Sequence, residues 1–517
     1  MKAFISRFGA MVSFVLSGFD RLRFRGDSRM LNNERGVDSY LYGQNIRYVD
    51  FPKHCEQLTK TLCEQTEKTA KEQGVPLRYL NSPATDKEAI ARQLLTANPH
   101  ACGRLIVLSC VEACSTYRLR KNSEGMVKPV KEPAKCVHYY HYFQHPQLGL
   151  CYARVQSWFP FTVRVGMNGR QWLYQQLRNR GVNFQPDGNL LVSVDDTALA
   201  QQILDEQVHA DYAKLLGDLV RPVQPLWEYL HGRVHMPYYW MAEQTEWASD
   251  FMFHSAADLA LWYPRWLRHG LITLSCEDVM RYLGKKYPKN CEGEVKIDLR
   301  AREEGARLKF WYEANSMKCY DKGSTGLRAF RAETTINQPK WFRVFRTKEG
   351  EEGGTPKWLE MRKGVADMDR RAEVSQAANN RLMESFATVA ETQTLGELLK
   401  PLGQPVIKDG VRRARALNPL TGKDGTLLRA LGKGEYLIQG FRNADLRKEI
   451  YGETTDDKER RCQSAAMTRQ LALLREHGLI VRVGKTHRYQ LSASGRRIVT
   501  AVLTAQASDI SRLLTNT

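Results

Sequence analysis

The sequence predicts an α+β protein of several domains. Three observations support this prediction. The chain has 517 residues, which is enough for about three or four domains of ordinary size. Its content of 42% hydrophobic and 26% charged residues is typical of a folded globular protein. Stretches with apolar residues at helical spacing also alternate with runs rich in aromatic and β-branched residues, which favour strands.

Changes in composition divide the chain into five segments. The first, a mainly helical N-terminal region, includes a helix that we expect to end at Gly74. A central α+β core follows, which we interpret as a nucleic-acid-binding or nuclease region, and the rest is a helical segment, a basic linker and a C-terminal domain. The predicted boundaries are 1–100, 101–346, 347–402, 403–424 and 425–517.

The charge of the chain points to a polyanionic partner. A formal net charge of +20 favours binding to DNA or RNA. No apolar run reaches the length of a membrane span, so no membrane partner is predicted. We expect residues 1–26 to form an amphipathic helix and a basic strand, and not a targeting segment.

The cysteines indicate a reducing compartment. The chain has eleven cysteines, an odd number, and lacks any CxxC pair, which suits a cytoplasmic protein. Cys110, Cys114, Cys136 and His138 offer ligands for zinc, but their spacing is irregular. Because buried free cysteine is common, zinc is not the expected cofactor.

The C-terminal domain has the clearest order of predicted elements. Two helices precede the long segment DDKERRCQSAAMTRQLALLREHG, and a hairpin and a final helix follow it. Met467, Leu471 and Leu474 recur at helical spacing and should face the core. Arg461 and Arg469 then lie on the opposite face, separated by small residues.

This order of elements resembles a winged helix, a variant of the DNA-binding helix-turn-helix. The resemblance implies that the long helix enters a major groove, where its arginines reach bases or phosphates. The hairpin would then offer Arg482, Lys485 and Arg488 to the nucleic-acid backbone. An RNA ligand or a protein partner for this domain remains an alternative.

The central core contains an unusual strand pair, NSMKCYDK and LRAFRAETTI. Alternation places Lys318, Tyr320 and Lys322 on one side of the first strand, and Arg331 and Glu333 on one side of the second. The two lysines are suited to lowering the pKa of a tyrosine or to binding phosphate, and Arg331 to contacting nucleic acid. The strands form either an active site or a hairpin with only a structural role.

The run Y-D-K followed by R-x-E is similar to a strand pair in rolling-circle replication initiators of filamentous phages and plasmids. Those enzymes nick one DNA strand with a tyrosine and a divalent metal. The resemblance implies catalytic roles for Tyr320, Lys322 and Glu333. Those enzymes usually bind the metal with two histidines at alternate positions of one strand. This sequence has no such pair, because His138, His141 and His145 are spaced by three and four residues.

A second group of carboxylates lies upstream of this strand pair. Glu243, Glu246 and Asp250 are spaced as they would be on one face of a helix. Glu246 and Asp250 would converge with Glu333 on a hard cation, Mg²⁺ or Mn²⁺. These three carboxylates are the predicted metal ligands.

Two hypotheses about function follow. The first is a metal-dependent endonuclease or replication initiator of a mobile element, which recognises DNA through its C-terminal domain. The second is a non-catalytic DNA- or RNA-binding protein, either a regulator or the protein component of an RNA–protein particle.

Overall fold

The computed structural model describes most of the chain. The described residues are 1–121, 123–273, 293–298, 306–312, 314–322, 328–348, 354–387, 389, 395–408, 411–433, 436, 440–483 and 487–507.

Strands are present from the N-terminal part of the chain to the C-terminal domain. Those in the described part are β1 (Val12–Ser28), β2 (Leu77–Leu80), β3 (Gly103–Lys121), β4 (Val127–His145), β5 (Gly149–Gln156), β6 (Val163–Asn168), β7 (Phe184–Asp187), β8 (Leu190–Val194), β9 (Tyr238–Phe253), β10 (Gly293–Asp298), β11 (Arg307–Tyr312), β12 (Asn315–Lys322), β13 (Ala329–Ile336), β14 (Arg343–Arg346), β15 (Lys357–Glu360), β16 (Val406–Lys408), β17 (Val411–Ala414), β18 (Phe441–Arg442), β19 (Ile480–Arg482) and β20 (Arg488–Leu491).

Helices lie between several groups of these strands. The α-helices of the described part are α1 (Lys2–Phe8), α2 (Glu34–Gly43), α3 (Phe51–Glu72), α4 (Lys87–Ala97), α5 (Gly169–Asn179), α6 (Thr197–Val208), α7 (Tyr212–Val220), α8 (Ala256–Thr273), α9 (Met368–Phe386), α10 (Leu395–Leu399), α11 (Gly422–Leu431), α12 (Asn443–Tyr451), α13 (Asp457–Glu476) and α14 (Ala493–Ala507). None of the described helices is long and apolar enough to cross a membrane. The predicted α+β class is confirmed.

The chain forms two compact units, and each takes residues from separate parts of the sequence. The first unit comprises residues 1–15, 249–334 and 374–517, and the second comprises 16–248 and 335–373. The predicted segments were continuous in sequence, whereas the units are not.

The second unit is built on a large mixed sheet. Its strands follow the order β9-β1-β6-β5-β4-β3-β2. The β6–β1, β5–β6, β4–β5 and β3–β4 pairs are antiparallel, and β2 runs parallel to β3. Alternate residues of β3 point to opposite faces. Val107 packs into the larger apolar core with α2 and α3, and Ile106 and Leu108 pack with Ala91 of α4.

The first unit contains the strand pair singled out in the sequence. Strands β10, β11 and β12 are antiparallel neighbours, and β13 follows β12 in the sheet. All eight residues of β13 are buried. Such a strand does not show the alternation of buried and exposed residues that marks a solvated hairpin.

The C-terminal part of the first unit has its own apolar core. Leu427 of α11, Leu446 of α12, Leu474 of α13 and Val499 of α14 all belong to it. A small sheet of order β18-β20-β19 completes this part. The predicted sequence of helices, hairpin and final helix is confirmed, while the winged-helix interpretation stays a prediction.

Three local structures differ from what short-range sequence patterns favour. The apolar spacing of residues 195–216 favours one long helix capped by Asp195 or Asp196. The structure has two helices there, because the Asp211 side chain accepts a hydrogen bond from the Lys214 backbone N–H and caps a new helix. The basic linker 403–424 contains the paired strands β16 and β17. Asparagine is a common helix N-cap, but Asn443 is already helical, and its side-chain amide donates to the Ser464 carbonyl instead.

Candidate functional site

The predicted catalytic residues meet between β12 and β13 in the first unit. The Tyr320 hydroxyl donates a hydrogen bond of 2.9 Å to Oε2 of Glu333. The Lys318 ammonium lies 2.8 Å from Oε1 of the same carboxylate. The ammonium of Lys322 lies 6.0 Å from the centre of the Tyr320 ring. The structure therefore brings together the tyrosine, the carboxylate and both lysines.

This cluster is enclosed by protein. Tyr320 is 3% exposed and Glu333 is 1% exposed. The phenol oxygen is therefore out of reach of a DNA backbone in this conformation. With a phenol donor on one oxygen and an ammonium beside the other, the Glu333 charge is compensated inside the protein. The cluster offers no open site for substrate in this conformation.

Arg331 and Asp250 form a second buried pair in the first unit. The Arg331 guanidinium donates from Nη2 to Oδ2 of Asp250 at 2.8 Å and from Nε to Oδ1. Arg331 is completely buried. Arg331 was predicted to contact nucleic acid, but its guanidinium is not exposed and cannot make that contact in this conformation. Asp250, a predicted metal ligand, already accepts a hydrogen bond on each of its oxygens.

The predicted helix carrying the upstream carboxylates is wrong, because residues 238–253 form the strand β9. Helical spacing of Glu243, Glu246 and Asp250 is a weak signal in a segment so rich in aromatic residues, which favour strands. In the second unit, the Glu243 carboxylate lies 3.0 Å from the Arg164 guanidinium, and Glu246 lies 4.0 Å from that of Arg21.

Sequence reasoning missed Asp20, a buried carboxylate of β1 in the second unit. Its oxygens lie within 4.8 Å of a carboxylate oxygen of Glu246. The Asn189 side-chain amide donates to both Asp20 oxygens, at 2.6 and 2.7 Å. The only available signal was an acidic residue between an aromatic and a basic neighbour, Phe19 and Arg21. Two neighbouring buried carboxylates supply the oxygen ligands that a hard cation prefers.

The C-terminal helix α13 presents the two faces that its periodicity predicts. Met467, Leu471 and Leu474 are buried in the core, which confirms the predicted inner face. Arg461 and Arg469 are exposed on the outer face. Within the described part of the chain, neither of these guanidinium groups has an ion pair.

The hairpin after α13 is described except at its tip. Arg482 is exposed on β19. Arg488 of β20 is half-buried, and its Nη1 donates to the Gly440 carbonyl at 3.1 Å. Lys485, another predicted contact with nucleic acid, lies outside the described residues.

Comparisons with known proteins show no family for this chain. No protein-family model matches it, and no curated protein is similar to it. Among solved structures, the chain is weakly similar to the di-domain ARO/CYC StfQ from the steffimycin biosynthetic pathway, with 11% identity and a TM-score of 0.12. That alignment covers 58% of this chain and 93% of the other.

Proposed function

We propose that this chain is a nucleic-acid-binding protein of a mobile element, which binds duplex DNA through helix α13. One observation carries the proposal: Arg461 and Arg469 are exposed on the face of α13 opposite to the buried Met467, Leu471 and Leu474. A helix held by one apolar face and bearing arginines on the other fits the width of a major groove.

The surroundings of α13 agree with this role. The Asn443 amide of α12 donates to the Ser464 carbonyl and to the Thr468 hydroxyl, both at 3.0 Å, and so fixes α12 against α13. Exposed Arg482 follows α13 on the first strand of the hairpin. The net charge of +20 would draw the whole chain towards a polyanion.

The test is fluorescence anisotropy of labelled duplex DNA with the full chain. In the variant Arg461→Gln/Arg469→Gln we expect the dissociation constant to rise at least about tenfold, since each phosphate or base contact contributes on the order of 1 kcal/mol or more. Arg460→Gln is the matched control. Arg460 lies on the same helix but pairs with Asp457 within the first turn. Equal losses in both variants would refute the proposed face.

A nickase is the second candidate function, and the hydrogen bond between Tyr320 and Glu333 beside two lysines favours it. Such a reaction requires the tyrosine to be uncovered and needs Mg²⁺ or Mn²⁺ to neutralise the developing charge. In the second unit, Asp20 and Glu246 are the carboxylates suited to a cation. Cleavage of labelled DNA with Mg²⁺ or Mn²⁺, lost in Tyr320→Phe, would establish this activity.

A non-catalytic RNA-binding role is the alternative to DNA binding. Analysis of the nucleic acid that co-purifies with the chain distinguishes the two, because a discrete RNA species without cleavage activity would identify an RNA–protein particle. The described cysteines are all free, which agrees with the expected cytoplasmic compartment.

A further inference from the structure

The second unit contains a polar pocket of about 460 Å³ that no part of the proposed function uses. Helix α3 forms one wall, β3 and β4 contribute one residue each, and residues 221–228 close the other side. Arg104, His141 and Arg221 are among the lining residues. The pocket therefore combines two cationic side chains with a histidine.

Arg104 has a half-buried positive charge. Its Nη1 lies 3.4 Å from Nδ1 of His141, and its Nη2 donates to the side-chain oxygen of Gln73. Burial lowers the pKa of the guanidinium. In the part of the chain that the structure describes, Arg104 has no carboxylate partner. A desolvated cation without a counter-ion is a favourable place for an anionic ligand.

His141 adds a hydrogen-bond donor that lacks an acceptor. The residue is fully buried, and burial, together with the nearby Arg104 charge, lowers its pKa to about 3, so the ring is neutral. Because a guanidinium can only donate, Nδ1 must accept and Nε2 must carry the proton. Nε2 is buried and has no hydrogen-bond partner. Such an unsatisfied donor is rare in a folded protein.

The remaining lining is mixed, with apolar Pro222, Val223 and Pro225 and the acidic Glu228 beside polar groups. Hydroxyl groups come from Thr66 and Thr69 of α3, and Arg221 stands at the rim. Arg221 pairs with Glu228 at 2.9 Å, and both side chains are largely exposed, so this pair is free to rearrange. Guanidinium and hydroxyl donors around one space suit the several acceptor oxygens of a phosphate.

We propose that this pocket binds a phosphate monoester, supplied either by a mononucleotide or by the terminal phosphate of a nucleic-acid strand. Arg104 would supply the charge and the half-buried Thr69 a hydroxyl donor. The proposal goes beyond DNA binding by α13, since every lining residue belongs to the second unit and α13 to the first.

Isothermal titration calorimetry on the full chain tests this proposal with three probes. These are adenosine monophosphate, a short single-stranded oligonucleotide with a 5′-phosphate, and the same oligonucleotide with a 5′-hydroxyl. Binding of the mononucleotide would identify a nucleotide pocket. At least about tenfold tighter binding of the 5′-phosphate oligonucleotide than of the 5′-hydroxyl form, without binding of the mononucleotide, would identify a strand-end pocket.

The variant Arg104→Gln assigns the binding to the pocket. We expect this variant to raise the dissociation constant for the phosphorylated probe at least about tenfold. The variant Arg78→Gln removes an exposed arginine of β2 and should leave that dissociation constant unchanged. If Arg104→Gln does not fold, the variant Arg221→Gln at the exposed rim replaces it. We expect that variant to bind the phosphorylated probe about threefold more weakly. Equal binding of the two oligonucleotides without binding of the mononucleotide, or unchanged binding in the folded variant, would overturn the proposal.

Discussion

The guanidinium of Arg331 and the carboxylate of Asp250 form a two-pronged ion pair inside the protein, although the residues lie 81 positions apart in the chain. Arg331 was expected to contact nucleic acid and Asp250 to bind a metal. Instead, each side chain compensates the charge of the other and supplies its hydrogen-bond partners. The side-chain amide of Asn379 donates to the neighbouring Ala332 carbonyl at 3.0 Å, so α9 also stabilises this part of β13.

We predict that Arg331→Met destabilises the protein by about 3–5 kcal/mol, because it leaves the buried Asp250 carboxylate without its cation. Arg328→Met is the control, since Arg328 is partly exposed and pairs with Asp321 near the surface. We expect that variant to lose less than about 1 kcal/mol. Urea denaturation measures both free energies of unfolding, and equal losses would contradict the structural role of the buried pair.

Tyr320→Phe removes the hydroxyl that donates to Glu333 and keeps the ring. The expected loss of stability is about 1–3 kcal/mol, the usual cost of an acceptor left without its donor in the interior. Tyr451→Phe, at an exposed tyrosine, should change the free energy of unfolding by less than about 0.5 kcal/mol. A Tyr320→Phe protein as stable as the wild type would show that the hydrogen bond does not stabilise the folded state.

Leu471→Ala tests the inner face of α13. Leu471 is 3% exposed, and its truncation should cost about 2–5 kcal/mol and lower the melting temperature. Ala472→Ser changes the adjacent exposed position and should be neutral within about 0.5 kcal/mol. Differential scanning calorimetry compares the two variants. If Ala472→Ser were the more damaging, the assignment of the two faces would be reversed.

The stability of the protein should fall as the pH falls from about 6.5 to about 4, in part through His138. Burial, followed by the charge of Arg154, lowers the pKa of His138 to about 4, whereas an unfolded histidine has a pKa of about 6.5. The unfolded chain therefore binds the proton more readily within this window. The free energy of unfolding should decrease by up to about 1.4 kcal/mol per pH unit for this residue.

The matched variants for this effect are His138→Gln and His100→Gln. His100 is exposed, so its replacement is the control for removing a histidine at the surface. His138→Gln should give a smaller slope between pH 6.5 and 5, measured by urea denaturation at several pH values. Parallel curves for the wild type and His138→Gln would show that His138 does not titrate differently on folding.

Local periodicity was sufficient to predict α13. The spacing of Met467, Leu471 and Leu474 identified the buried side, and that inference needs no knowledge of the rest of the fold. The same kind of inference failed at β9, where Glu246 and Asp250 fitted a helical face by spacing alone. The structure of that strand is decided by its burial and by partners distant in sequence, and a short-range pattern carries no information about either.

The clustering of Lys318, Tyr320 and Glu333 was also predictable, because alternation along two neighbouring strands brings such side chains together. Their burial was not, since it depends on how the strand pair is covered. To predict the pairing of Arg331 with Asp250 would likewise have required knowledge of how strands distant in sequence are aligned. The pocket at Arg104 was missed because its walls come from four separate parts of the chain.

The most direct measurement of the central claim is the salt dependence of duplex DNA binding by the wild type and by Arg461→Gln/Arg469→Gln. Each phosphate contact contributes about 0.9 to the slope of log K against log salt concentration. If Arg461 and Arg469 neutralise phosphates, the magnitude of the slope should be smaller by about 1.8 in the double variant and unchanged in Arg460→Gln. Identical slopes for the wild type and the double variant, with equal affinities, would contradict DNA binding through this face of α13.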